Sequence, residues 1–406
     1  MKNLLHFLLM AIVALSITHP LLAQWVQTNG PTGGQVYSFA VTGTNLFAGT
    51  YGGGVFLSTN NGTSWGAVNA GLTNTRVHAL AVFGTNLFAG TVGGIFLTTD
   101  NGTSWTALNT GLTNTNVWAL AVSGVNLFAG TFGGGIFLST NNGTSWLEVN
   151  AGLTDTRVVA LAVSGANLFA ATAGGGVFLS TNNGTSWTAV NNGLTNTYVP
   201  ALTVSGANLF AGTYGGVFLS TNNGTSWIAA SNGLPNDVIS ALALSGANLF
   251  AGTANNGVFF STNNGTSWAP FSAGLTQPGV WALAVFGPNL FAGTWDGSAW
   301  TRPLSDMITS VDQLSNAVPT HFSLSQNYPN PFNPSTTIQF EIPEPTHVEL
   351  KVFTSLGREI RALVSEILTA GRYRTQWDAT GFPSGVYFCR MQAGQFRDTR
   401  RILLVK

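Results

Sequence analysis

Residues 24–300 hold only seven charged side chains: Arg76, Asp100, Glu148, Asp155, Arg157, Asp237 and Asp296. Few reactions can be assembled from so small a set. Ordinary glycoside hydrolysis needs two carboxyl groups about 5 to 10 Å apart. Asp155, Asp237 and Asp296 lie in separate copies of a repeat, and nothing in the sequence pairs them. A Ser–His–Asp relay would have to use His78, the single histidine between residues 24 and 305, and no pattern specifies its partners. A catalytic set, a metal site and a cofactor are therefore not expected. The chemistry that remains is recognition by aromatic rings with a few charges beside them.

Those residues are placed by a repeat. The hexamer N-L-F-A-G-T starts at Asn45, Asn86, Asn126, Asn167, Asn208, Asn248 and Asn289, at intervals of 41, 40, 41, 41, 40 and 41 residues. Only the fourth copy deviates, with Ala171 in place of Gly. A fixed period of this size signals repeated supersecondary units. Within residues 76–115, four apolar runs are separated by Gly and Asn turns: Arg76–Val82, Asn86–Thr91, Ile95–Thr99 and Ser104–Asn109. Such a pattern reads as a four-stranded antiparallel meander. Simple alternation puts Val77, Ala79 and Ala81 on one face and Leu80 and Val82 on the other. Both faces are apolar, so one meander cannot bury itself. Packing the copies face to face in a ring buries both, which makes a β-propeller.

Counting strands gives seven first strands and seven N-L-F-A strands. There are six good third strands and a degenerate seventh around Ser298–Leu304, but only six fourth strands follow them. Trp25–Asn29 (W-V-Q-T-N) aligns with Trp105–Asn109 (W-T-A-L-N), so the N-terminal segment is expected to supply the missing outer strand. The expected fold is all-β: a seven-bladed propeller closed by an N-terminal strand. An open solenoid would need polar capping repeats, and neither end offers one.

Copies of the repeat differ at two positions. The residue after the first Val or Ile is Tyr37, His78, Trp118, Val159, Pro200, Ser240 or Trp281, and the residue after the hexamer is Tyr51, Val92, Phe132, Ala173, Tyr214, Ala254 or Trp295. Both sets are expected on one face of the ring, with Arg76, Asp155, Arg157, Asp237 and Asp296. A rim of Tyr and Trp suits stacking on a glycan or contact with a protein. The competing reading is that these rings fill the ends of the sheets, and His78 alone reads as a packing residue.

Six copies of one turn run from Ser58, Thr98, Ser139, Ser180, Ser220 and Ser261 to Trp65, Trp105, Trp146, Trp187, Trp227 and Trp268. The pattern S-T-N-N-G-T-S-W resembles the Asp-box, or neuraminidase repeat. Asp100 keeps the acid, while Asn60, Asn141, Asn182, Asn222 and Asn263 replace it. Asn and Asp suit such turns because their side chains bond the nearby backbone, but Asn-rich turns carry too little charge for calcium. The resemblance implies a structural turn at the periphery, away from the ligand face. Asp-box propellers include sialidases, which hold the substrate carboxylate with three arginines and use a Tyr–Glu pair. This chain offers two arginines in the repeats, and Glu148 falls in a fourth strand, so an enzyme is not expected.

The two ends address export. Lys2, the apolar stretch Leu4–Ile17 and Leu21-Leu22-Ala23 read as a secretory signal over residues 1–23, cleaved before Gln24. Cys389 is the sole cysteine, so no internal disulfide is expected. Balanced charge, 14 basic against 14 acidic residues, gives no field directed at nucleic acid or anionic membrane. After residue 301 the composition changes, with 11 Lys/Arg and 9 Asp/Glu in 301–406. Alternation in Val348, Leu350 and Val352 against Glu349 and Lys351 marks strands, and about seven of them predict an immunoglobulin-like β-sandwich. This segment resembles the C-terminal sorting domain of the bacterial type IX secretion system. The matching motifs are Y-P-N-P-F-N-P-S-T-T-I (Tyr328–Ile338), Val352–Ile360, Trp377–Gly381, Ser384–Phe388 and the basic end Thr399–Lys406. The resemblance implies export across the outer membrane and the secretion machinery as a partner.

The domain plan expected from the sequence is a signal peptide (1–23), a propeller (24–305), a linker (306–319) and a sorting domain (320–406). The expected protein is a monomeric, secreted or surface-exposed bacterial propeller that binds a glycan or protein without catalysis. A glycoside-active enzyme and a structural surface or matrix component stand as alternatives.

Overall fold

A computed structural model describes residues 24–304, 312–315, 319–379 and 381–405. The expected signal segment and most of the expected linker lie outside these. The described residues form β-strands, and no helix among them is long and apolar enough to cross a membrane.

Residues 26–303 build seven four-stranded antiparallel sheets. The first is typical, with strands Val36–Thr42, Asn45–Thr50, Gly54–Ser58 and Gly66–Ala67 in that order. The seventh consists of Val280–Phe286, Asn289–Thr294 and Ala299–Pro303, with Val26–Gln27 from the other end of the chain as its outer strand. The pairing is Val26 with Thr301 and Gln27 with Trp300. First strands of successive sheets pack side by side, and the seventh returns to the first. This is a β-propeller whose seam is fastened by the chain's N-terminal segment, as expected.

Close approach between sheets explains the glycine of the hexamer. A Cβ on Gly90 would lie 2.7 Å from Cγ1 of Val117 in the next sheet, and one on Gly130 would lie 2.5 Å from Val158. The exceptional copy, Ala171, faces the sheet whose first strand starts late, at Ala201. There Val199 leaves the ladder and donates its N–H to the Thr172 carbonyl next door at 3.3 Å.

Two local expectations need correction. Six first strands carry a β-bulge, for example between Val77 and Ala79, where Ala79 pairs with Gly90 and Val77 with Thr91. An extra residue resets the alternation. Val77 therefore packs in one cluster with Leu80, Val82, Leu87 and Phe96, rather than sharing a face with Ala79 and Ala81. The fourth strands are also shorter than Ser104–Asn109, covering only Thr106–Ala107. The rest of that segment is tied elsewhere. Trp105 N donates to Ala70 O of the preceding sheet (2.8 Å), and Asn109 Oδ1 accepts the Ile95 N–H (2.8 Å). Two-residue outer strands leave little unpaired edge for another chain to join.

The C-terminal unit has two four-stranded antiparallel sheets. One orders Asp312–Ser315, Gly371–Asp378, Ser335–Ile342 and Ser323–Leu324; the other orders Glu359–Leu368, Thr346–Thr354, Gly385–Ala393 and Phe396–Leu404. Ile338, Phe340 and Trp377 of the first share one core with Val348, Leu350, Cys389 and Ile402 of the second. Strand Asp312–Ser315 lies inside the stretch expected as linker, so pairing in this unit starts before residue 320. The proline motif lashes the unit together: Phe332 N donates to Leu403 O (3.0 Å), Val405 N donates to Phe332 O (3.0 Å), and the Phe332 ring packs 5.3 Å from Trp377.

Candidate binding face

The registers separate the two ends of each sheet. Val36 opposes Thr50, and Thr50 opposes Gly54, so the start of the first strand and the loop after the hexamer share one end. Thr42 opposes Asn45 and Leu46 opposes Ser58, so the S-T-N-N-G-T-S-W turns lie at the other.

At the turn end, Asn60 Oδ1 accepts from Ser58 Oγ (2.9 Å) and Ser64 N (3.0 Å), and Asn60 Nδ2 donates to Ser64 Oγ (2.8 Å). Asn141, Asn182, Asn222 and Asn263 repeat this network. Asp100 makes it as a carboxylate. Bonds from Ser104 Oγ, Thr98 and the Ser104 N–H hold its pKa down to about 2. The left-handed conformation falls on the next residue, with φ of 55° at Asn61, and then on Gly62. Each buried Trp staples two sheets: Trp105 Nε1 donates to Val68 O (2.7 Å) and Trp187 Nε1 to Val149 O (2.8 Å). Trp25 Nε1 does the same to Phe271 O at the seam.

At the opposite end the bulge decides what the face displays. The bulged residue is out of the ladder, and in six sheets it is the variable one: Tyr37, His78, Trp118, Val159, Ser240 and Trp281. Freed from cross-strand pairing, that position tolerates any side chain. In the fifth sheet it is Pro200, which lacks an N–H for a ladder in any case.

The rings from four consecutive sheets form one connected arc. Trp295 lies 5.6 Å from Trp281, Trp281 5.8 Å from Tyr37, and Tyr37 5.1 Å from His78. His78 stacks on Trp118 at 4.4 Å and 12°, and Trp118 lies 5.2 Å from Phe132. Tyr51 touches both Tyr37 (5.7 Å) and His78 (5.7 Å), with the Arg76 guanidinium 5.1 Å above its ring. Trp295 is 56% exposed and Tyr51 and Phe132 are each 37% exposed, so the arc presents ring surface to solvent.

His78 is buried under the arc. Burial first, and then the Arg76 charge, lower its pKa to about 4, so the imidazole is neutral at pH 7. Its Nδ1 and the Nε1 of Trp281 are buried without a hydrogen-bond partner. Trp118 Nε1 donates to Asn116 Oδ1 (2.9 Å). Burial, with the neighbouring Tyr51 and Tyr198 hydroxyls, raises the Tyr37 pKa.

The other expected site residues are not gathered into the arc. Asp155 and Arg157 form a closed bidentate pair, with Nε to Oδ1 and Nη2 to Oδ2 both at 3.0 Å. Asp237 is buried and accepts four hydrogen bonds from Val238 N, Asn255 N and the Asn255 and Asn256 amides, which together lower its pKa against the desolvation that raises it. Asp296 caps its own turn, accepting from Thr294 Oγ1, Ser298 N and Ser298 Oγ. Tyr214 is 61% exposed and has no ring partner among the described residues. One contributor was overlooked in the sequence: Tyr198, whose hydroxyl acts on Tyr37. Comparing the repeats two positions earlier (Gln35, Arg76, Asn116, Arg157, Tyr198, Val238, Gly279) would have found it.

Comparisons with known proteins bear on the two units separately. The family model of the secretion system C-terminal sorting domain matches residues 326–406. The chain thus ends in a type IX sorting domain, which indicates a secreted or cell-surface protein that meets the type IX machinery. No curated protein matches the chain. Among solved structures, PorZ of Porphyromonas gingivalis, a surface component of the type IX secretion system, is similar over 94% of this chain at 17% identity and a TM-score of 0.57. This chain spans 61% of PorZ. YCF48 from Cyanidioschyzon merolae is similar over 69% of this chain and 99% of its own, at 15% identity and a TM-score of 0.54. The designed protein Ika8 is similar over 69% of this chain and 100% of its own, at 15% identity and a TM-score of 0.53. At these identities the likeness is one of fold.

Proposed function

We propose that the protein is an exported, seven-bladed propeller of the Asp-box type whose aromatic arc binds a glycan without catalysis, followed by an immunoglobulin-like sorting sandwich. Seven sheets in a closed circuit support the blade count. Two antiparallel sheets sharing one core support the sandwich. The turn network around Asn60 and Asp100 supports the Asp-box kinship.

One observation carries the binding assignment. Rings from four consecutive sheets meet at positions that vary between copies, while the Val, Ala and Leu of the first strands barely change. Apolar sugar faces stack on such rings, and aromatic side chains supply large contact area with little loss of freedom. The carboxylates argue for binding rather than turnover, because Asp155 and Asp296 are bound up in their own loops and Asp237 is tied to the loop of Asn255 and Asn256. A protein ligand is the second reading, favoured by a solved YCF48 propeller with a D1 peptide bound.

The test is a polysaccharide and secretome binding screen repeated with Trp118→Ala and Trp281→Ala. Each variant should weaken a hit at least about fivefold, the loss of one stacked platform being worth about 1–3 kcal/mol by analogy with base stacking. A hit left unchanged by both would remove the arc as the site. Turnover abolished by Asp155→Asn or Asp296→Asn would replace binding by catalysis.

A further inference from the structure

Two of the repeats enter their first strand by nearly the same loop. Residues 72–77 read L-T-N-T-R-V and residues 153–158 read L-T-D-T-R-V. The backbone is built alike. Arg76 N donates to Asn74 Oδ1 at 3.0 Å, and Arg157 N donates to Asp155 Oδ1 at 3.0 Å. Both arginines also bridge to the ring-bearing residue of the sheet before, Arg76 to Tyr51 and Arg157 to Phe132.

The guanidinium groups behave differently. Asp155 clamps Arg157 through both oxygens and neutralises it. Asn74 offers the same backbone acceptor but no charge. Arg76 is exposed and, among the described residues, has no carboxylate partner; its guanidinium lies over the Tyr51 ring, on the arc. A single Asp-to-Asn difference therefore holds one cation shut and leaves its counterpart open. The open one sits among the stacking rings.

An arginine resting on an aromatic ring keeps its planar fork of donors available, and that fork matches the paired oxygens of a carboxylate or sulfate. We infer that Arg76 is the anion-recognising group of the face, and that the ligand is an acidic polysaccharide carrying carboxylate or sulfate groups. The inference rests on the glycan-binding reading and narrows it. Sugar rings cover Trp118, Tyr37 and Trp281 while an anionic substituent reaches Arg76. An acidic peptide suits the face less. The face offers rings with a single open cation beside them, which suits stacked sugars carrying an occasional anionic group better than a chain of closely spaced carboxylates.

The decisive variant is Asn74→Asp, which installs in the second sheet the clamp that Asp155 already forms in the fourth, so the fold has a precedent for it. Binding of polygalacturonate, dextran sulfate and uncharged dextran to the full chain is measured by calorimetry in low and moderate salt, with polyglutamate as the acidic-peptide probe. Polygalacturonate or dextran sulfate should bind better than dextran, and which of the two does so identifies carboxylate or sulfate. Asn74→Asp and Arg76→Gln should each reduce that binding about five- to tenfold, the worth of one charge-assisted contact at a partly exposed site, and leave dextran unaffected. Asp155→Asn should open Arg157 and strengthen binding at least twofold. Unchanged binding of the anionic polymers in Asn74→Asp overturns the inference. If dextran then still binds and depends on Trp118 and Trp281, the glycan reading survives alone. Polyglutamate binding as tightly as the polysaccharides overturns it in favour of a peptide, and binding of no polysaccharide overturns both readings.

Discussion

Replacing Trp25 by Ala tests how the ring is closed. Trp25 is 3% exposed and packs edge-on against Phe271 with centroids 6.1 Å apart, in one cluster with Trp300 and Phe260. Its indole buries on the order of 200 Å², which at about 25 cal/mol per Å² stabilises by about 5 kcal/mol. Trp-to-Ala changes in cores cost about 3–5 kcal/mol. The lost indole bond adds little, because the Phe271 carbonyl keeps the Arg302 Nη1 donor at 2.9 Å. Against this stands closure. The seam joins residues 271 positions apart, as in Thr28 to Ala299, whereas the Trp187 staple spans 38. The longer closure costs about 2 kcal/mol more. The seam is thus the weakest joint of the ring, and Trp25→Ala should open it locally before the rest unfolds. Denaturant titration should show a loss of about 3–5 kcal/mol. Hydrogen exchange should show lost protection at Thr28 and in the Val26–Thr301 pair, with strands of the third and fourth sheets unchanged. Trp25→Phe should recover most of the loss. A Trp25→Ala protein within 1 kcal/mol of the parent, with Thr28 still protected, would refute closure by packing at this residue.

Two other outcomes follow from the geometry. His78 keeps a native pKa of about 4 against an ordinary 6.5, so below pH 6.5 the unfolded chain takes up a proton that the native state refuses until about pH 4. Its contribution to stability is full above pH 6.5 and falls by about 3 kcal/mol as the pH drops to 4. His78→Phe should flatten that part of the stability–pH curve, and an identical slope in both proteins would show that His78 is not the titrating group. Removing residues 306–406, which takes away strand Asp312–Ser315 with its partners, should leave the propeller folded but retained inside the outer membrane. Fractionation that finds it in the medium as before would show that export does not depend on this unit.

Much of this protein was legible in its sequence because its repeats share one solution to one packing problem. The hexamer, the Gly and Asn turns and the spare W-V-Q-T-N segment led to the four-stranded sheets, the propeller and the seam, since an apolar meander cannot bury both faces alone and an open stack would need polar caps. The sorting unit was legible from linked motifs such as the proline run that ties Phe332 to Leu403. What the chain could not show were effects of register and of distance. The bulge at His78 is invisible in a string of letters, yet it turns Val77 to the other side of its sheet and frees the variable residue for the face. The fates of Asp155, Asp237 and Asp296 were likewise hidden, because Asp155 and Asp296 are decided by hydrogen bonds in their own loops and Asp237 by Asn255 and Asn256 of the loop after the hexamer. Only the folded ring brings Trp281, Tyr37, His78 and Trp118 into contact across strands some 40 residues and more apart, and only there does Asn74 rather than Asp leave Arg76 open while its counterpart is closed.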